Sequence, residues 1–205
     1  MISNQILNQK IPVRNNEGII IANLVSISHR NCNLKLVSQL LSKWRNLNKD
    51  CFFTEFEVTE ESTLSWIKSF WLSSTAQELF LVEIENKYVG HFGFKNLTKN
   101  TVLLDNAIRG ESGGEAKLFY YVGIALIDWI FLNTSVKTIE GSVFSDNIPA
   151  IMMNRQIGFE GWQKFSLKKV IVEDEISWIK SDQTNENDKL RFIYEIHVSR
   201  KNWKH

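Results

Sequence analysis

The chain has 205 residues, with 24 Lys plus Arg against 23 Asp plus Glu, and 43% of it is hydrophobic. Seven Trp and thirteen Phe exclude a disordered chain, and the length suits one domain with a large core. A net charge of +1 gives no reason to expect nucleic-acid or anionic-membrane binding, and no apolar run reaches the ~20 residues that span a bilayer. Cys32 and Cys51 make no metal or redox spacing. With no signal peptide visible, two reduced thiols in the cytoplasm and no bound metal are expected.

Residues 1–17 are polar and Asn/Gln-rich and read as an N-terminal extension, either an extra strand or a loose arm. Residues 18–205 read as a single domain. A first strand is expected over 18–27. Over 31–46 the apolar positions Leu34, Val37, Leu40, Leu41 and Trp44 recur at helical spacing. Thr59 caps a second helix running to about 71, with Leu64, Ile67 and Phe70 on its apolar side. The period then changes to two. Strands over 79–85, 88–94 and 101–108, joined by turns at Glu85-Asn86-Lys87 and Lys99-Asn100, form an antiparallel meander. A glycine-rich turn at 109–114 leads into a long helix from about 115 to 133. A strand over 136–144, a helix over 147–156, a strand over 159–179 and a last strand over 191–198 complete the chain. The polar stretch 181–189 reads as a long hairpin loop. The order is β-α-α-β-β-β-α-β-α-β-β, an α/β (α+β) class with a mixed central sheet and helices on both faces.

The stretch Ser145 to Phe159 carries the sharpest signal. Asp146 or Asn147 caps a helix, and Pro149 sits in its first turn, where a missing N–H costs nothing. Ile151, Met152 and Ile157 give an apolar side, and Gly158 supplies a residue that tolerates positive φ at the end. Asn147-x-x-Ala150, then Gly158-Phe159 after seven more residues, resembles the last conserved helix of the GCN5-related N-acetyltransferases (GNAT). The element order is also that family's order, so the resemblance spans nearly the whole chain. It implies the acyl-CoA N-acyltransferase fold and transfer of acetyl from acetyl-CoA to a primary amine.

A glycine turn before a helix N-terminus is a natural cradle for a pyrophosphate, because main-chain N–H groups converge there and the helix dipole adds positive potential. Arg109 and Gly114 match the first and last positions of the family's Gln/Arg-x-x-Gly-x-Gly/Ala signature. Ser112 stands at the middle glycine, with Gly113 one step late. The resemblance therefore assigns Arg109, Gly110, Gly113 and Gly114 to coenzyme A. Asn147 contacts the coenzyme arm, serves only as a helix cap, or does both. The thioester arm is expected between strands 103–108 and 137–144, where an exposed N–H at Asn106, Ala107 or Ile108 polarises the carbonyl.

Amine acetylation needs a base, an oxyanion partner and a proton for the leaving thiolate. Asp105, at the end of the strand entering the glycine turn, is the leading base; the alternative is a strand-end acid with no catalytic part. His91, on the neighbouring strand, is second as a neutral imidazole, or else structural. Glu83 is third and is also a substrate-binding candidate. Asn154 stands where many family members carry a tyrosine that protonates the sulfur. An amide has no titratable proton, so Asn154 is left to orient a thiol or water. The segment Trp44-Arg45-Asn46, Cys51-Phe52-Phe53, Thr59-Glu60-Glu61 and Trp66 resembles the members that acetylate nucleotide-activated amino sugars. That likeness makes Arg45 a diphosphate contact, against a surface salt bridge, and Phe53 an acceptor platform, against a core residue. A small-molecule amine acceptor is expected, with no nucleic acid or membrane, in a monomer or homodimer. The alternatives are a peptide or protein N-terminal acetyltransferase, and a catalytically inactive acyl-CoA-binding module.

Overall fold

The computed structural model describes residues 10–28, 32–173, 175–181 and 190–204. Its elements in chain order are β1 (Ile11–Arg14), β2 (Ile20–Ser26), α1 (Leu34–Leu47), β3 (Thr54–Glu55), α2 (Glu60–Ser69), β4 (Glu78–Ile84), β5 (Lys87–Lys95) and β6 (Thr101–Arg109). There follow α3 (Leu118–Asn133), β7 (Thr138–Phe144), α4 (Ile148–Ile157), β8 (Glu160–Val172), β9 (Glu175–Lys180) and β10 (Leu190–Ser199). One sheet holds the ten strands in the order β1-β2-β4-β5-β6-β7-β10-β8-β9-β3. The β6–β7 pair is parallel, and the other pairs are antiparallel.

Strand alternation assigns the two faces. On β4, Leu79 and Leu81 pack with Val37 and Leu41 of α1 and Ile67 of α2. Phe80 and Val82, one step over, pack with Leu118, Val122 and Leu126 of α3. Local chemistry sets the helix ends. Asn33 caps α1 through Leu36 N–H, and Thr59 with Ser62 forms a reciprocal capping box on α2. Asn147 Oδ1 accepts from Ala150 N–H at 3.2 Å to start α4, and Gly158 at φ 104° ends it. The apolar surface of α3 runs right round the helix, as suits a helix in the middle of the core. Among the described residues no helix is long and apolar enough to cross a membrane.

One open alternative is decided for a strand, and three expectations need revision. Residues 11–14 of the N-terminal stretch form β1, pairing Ile11 with Leu24 and Val13 with Ala22; residues 1–9 lie outside the described residues. The long helix starts at Leu118 rather than about 115, because residues 115–118 form a separate tight turn closed by Leu118 N–H on the Glu115 carbonyl. The strand expected over 159–179 is the hairpin β8–β9, which turns beside Glu173 at φ 55°. No glycine, proline or asparagine marks that turn; the acidic Glu173-Asp174-Glu175 was its one signal, and the sequence reading passed over it. The two residues of β3, too few to show a period, pair with Ser177 and Ile176 at the sheet edge. Residues 182–189 of the expected hairpin loop lie outside the described residues.

Candidate active site

The parallel pair opens part-way along. β6 and β7 align at Thr101–Thr138, Val102–Ile139 and Leu103–Glu140, and no pairing follows. A bulge drives β6 away. Gly93 faces Asp105 and His91 faces Ile108, so Asn106 and Ala107 together stand opposite Phe92. Asn106 takes φ 55°, a conformation that asparagine tolerates better than most residues. His91 lies behind the bulge, 2% exposed, and its Nδ1–H donates to the Asn106 carbonyl at 2.8 Å. Burial pushes its pKa down to about 4, so it stays neutral.

The gap is a cleft of about 680 Å³, walled by β6 from Leu103 to Arg109, the end of β7, the first turns of α3 and α4, and the segment Cys51–Phe53. Asp105, Asn106, Ala107, Ile108, Arg109, Asn147, Asn154 and Phe53, all singled out from the sequence, line it. His91, Gly110, Gly113, Gly114, Arg45 and Glu83 do not. Each of these has a physical reason for its place. Gly110 lies against the Trp44 indole, where a Cβ would stand 2.2 Å from ring atoms, and its N–H is committed to the Val89 carbonyl. Gly114 packs on Ile84, and Gly113 gives its carbonyl to Arg109 at 2.7 Å. Arg45 stacks on Phe52 at 3.5 Å and donates to the Thr54 carbonyl, and burial lowers its pKa to about 10. It organises its own segment instead of facing the cleft. Glu83 is 9% exposed, paired with Lys10 beside β2.

Among the described residues, Asp105 is the one carboxylate lining the cleft. Val102 and Leu104 point into the α3 core, so Asp105 projects to the opposite, α1/α2 face. Lys95 meets it at 2.8 Å and the Asn106 amide donates to it at 2.7 Å. Three cations, Lys95, Arg109 and Lys117, line the same cleft. Glu111 and Glu115, which would repel an anion, turn away. Glu111 binds Lys43 and Trp44 of α1, which holds its carboxyl below the usual range, and Glu115 accepts from Asn15.

The sequence reading missed the true helix start. Lys117 precedes α3, no side chain caps it, and Leu118 N–H turns back to the Glu115 carbonyl. Among the described residues, Phe119 and Tyr120 have no main-chain acceptor for their N–H groups, the usual state of a first turn. These residues and Lys117 line the cleft. The arrangement fits a pyrophosphate: free donors, a helix dipole and a lysine meet at one rim. Tyr120 is also the one phenol in the lining.

No protein-family model matches the chain, and no curated protein matches it in sequence. Solved structures do match in shape. A probable acetyltransferase of the GNAT family from Chromobacterium violaceum superposes with a TM-score of 0.64 at 12% identity, covering 95% of this chain and 89% of that one. An acetyl transferase from Salmonella typhimurium that modifies the N-terminal serine of a 50S ribosomal subunit protein gives 0.65 at 13% identity, covering 93% and 99%. The N-acetyltransferase PseH from Campylobacter jejuni, in complex with acetyl coenzyme A, gives 0.55 at 17% identity, covering 87% and 99%. Ten strands in one sheet, a bulged β6 parted from β7, and an uncapped helix at the rim give this chain the acyl-CoA N-acyltransferase fold of the GNAT acetyltransferases.

Proposed function

We propose that this protein transfers an acetyl group from acetyl-CoA to a primary amine. The parting of β6 from β7 beyond Leu103, into a cleft that ends on the uncapped start of α3, carries this reading. Lys117 and the first N–H groups of α3 hold the pyrophosphate, and Arg109 stands beside them. Acetyl-CoA supplies the activated acyl group. A main-chain N–H of the bulge, at Asn106 or Ala107, meets the negative charge that develops on the carbonyl oxygen. Asp105 takes the amine's proton, directly or through one water, from the α1/α2 side. Asn154 lines the cleft but has no proton to give, so its part is to orient the sulfur or a water. Asn147 orients the arm while capping α4.

The acceptor we favour is the amino group of a nucleotide-activated sugar. Phe53 is 42% exposed and tilts against Phe144 at 5.0 Å, offering an aromatic platform in the cleft that Asp105 also lines. Three cations against one carboxylate make the cleft hospitable to anionic reactants and unsuited to polyamines. A cytoplasmic, single-domain protein is part of the same proposal. Calorimetry with acetyl-CoA, followed by thiol release over a panel of amino sugars, peptides and polyamines, tests it. Micromolar binding with release on the sugar arm is the expected result. Release on peptides alone would move the acceptor to a protein N-terminus. Binding with no release on any amine would leave an acyl-CoA-binding module, and no binding would end the reading.

A further inference from the structure

Arg191, on β10, lies outside the cleft lining and has no part in the chemistry above, yet it holds two of the cleft's walls together. Its side chain is 15% exposed. Nε and Nη2 donate to the two carboxylate oxygens of Asp146 at 2.8 and 3.0 Å. Nη1 donates to the Asp50 carbonyl at 2.8 Å, and Glu55 stands 4.0 Å away. The guanidinium lies 3.5 Å from the Phe144 ring centroid. Asp146 directly precedes the α4 cap Asn147, and Asp50 directly precedes Cys51. One planar fork thus binds the end of β7, the entry to α4, and the turn that leads into Cys51–Phe53. Bidentate pairing and ring stacking together are a task for arginine that lysine does not reproduce. A neighbouring contact joins in: Trp178 of β9 takes the Phe53 carbonyl through its main-chain N–H at 2.7 Å and Glu55 through its indole N–H at 2.6 Å.

We infer that Arg191 is a positioning residue that sets the width of the acceptor side of the cleft by clamping Cys51–Phe53 to the Phe144–Asn147 wall. The clamp itself is a statement about the fold, whereas its kinetic consequence rests on the acetyl-transfer reading. Hydrogen exchange on the whole protein tests the clamp without activity. In Arg191→Gln, and separately in Asp146→Asn, amides in peptides covering 48–56 and 144–150 exchange at least about fivefold faster, while peptides from β4 and β5 keep their protection. Unchanged exchange in both variants overturns the clamp. The kinetic test uses the panel amine that the wild type turns over fastest. For Arg191→Gln, KM for that amine rises about tenfold while kcat and KM for acetyl-CoA move less than about threefold, and Arg191→Lys restores only part of the loss. Parallel shifts in both KM values, or an amine KM that does not move, overturn the positioning role. Failure of the wild type to bind acetyl-CoA would instead sink the acetyl-transfer reading and leave the exchange result to decide on the clamp.

Discussion

The two ends of the β6–β7 pair do opposite jobs. At the closed end three residues of each strand align, and the Asn100 carbonyl accepts from both Lys137 and Thr138 N–H. Val102 and Ile139 there are 1% and 0% exposed. Arg200 seals the edge by donating to the Val136, Phe131 and Thr134 carbonyls. At the open end, a few residues on, the same strands carry a bulge, an ion pair at 30% side-chain exposure and a cleft. The lesson is that a sheet makes a site by withholding its own hydrogen bonds. The closed end anchors the strands, so the open end can hold main-chain groups out of the ladder without collapsing.

Substitutions at the two ends should therefore separate activity from stability. Asp105→Asn at the open end should lower turnover at neutral pH by about 10²- to 10⁴-fold, with acetyl-CoA affinity and thermal midpoint nearly unchanged. Steady-state kinetics beside calorimetry checks this, and an unaltered rate removes Asp105 as base. Ile139→Ala at the closed end should cost about 2–5 kcal/mol of stability in urea titration, while the folded variant still binds acetyl-CoA. A large loss of affinity in the folded variant would show that the two ends are not separable.

Each end also has a buried titratable group, and the two oppose each other. His91 lies behind the bulge, level with Ile108. Glu78 lies level with Phe94 and hence Leu104, nearer the closed end. Burial lowers His91 from 6.5 to about 4 and raises Glu78 from 4.5 to about 7. Between pH 4 and 6.5 the unfolded chain binds a proton that native His91 refuses, so this histidine makes stability fall as the pH drops. Between pH 4.5 and 7 native Glu78 binds a proton that the unfolded chain lacks, so this carboxyl makes stability rise as the pH drops. Each effect amounts to roughly 3 kcal/mol over its window, and together they nearly cancel. Glu78→Gln should therefore lose stability on acidification from pH 7 to 4, and His91→Gln should gain it. Urea midpoints across that range give the answer, and equal slopes in both variants would refute the opposition. The smallest effect is expected at the cradle. Lys117→Glu should weaken acetyl-CoA binding by about tenfold, less so in high salt, because one rim charge changes sign. No change would place the pyrophosphate elsewhere.

Much of the site was legible before the structure. Asp105, Asn106, Arg109 and Asn147 stood out because strand ends, a glycine turn and a helix cap are local signals with fixed spacing. His91 and Arg45 lie outside the cleft lining, a placement that local signals do not carry because burial is not local. His91 meets Trp44 and the Asn106 carbonyl, residues 47 positions before it and 15 after it by number. Arg45 turns onto Phe52 and Thr54, so its charge serves the segment around Cys51–Phe53. The glycines of the 109–114 turn, which the family resemblance assigns to coenzyme A, lie outside the cleft lining, and each is small or left-handed for packing and turning.

What the amino-acid order determined alone is the run from β4 to β7 and the capped starts of α1, α2 and α4, because periodicity, caps and turn residues act within a few positions. What tertiary structure decided is where β6 leaves β7, which N–H groups of α3 stay open, and which charges face the gap. Those depend on pairings between residues far apart in the chain, and Arg191 reaching Asp50 and Asp146 shows the scale of that reach.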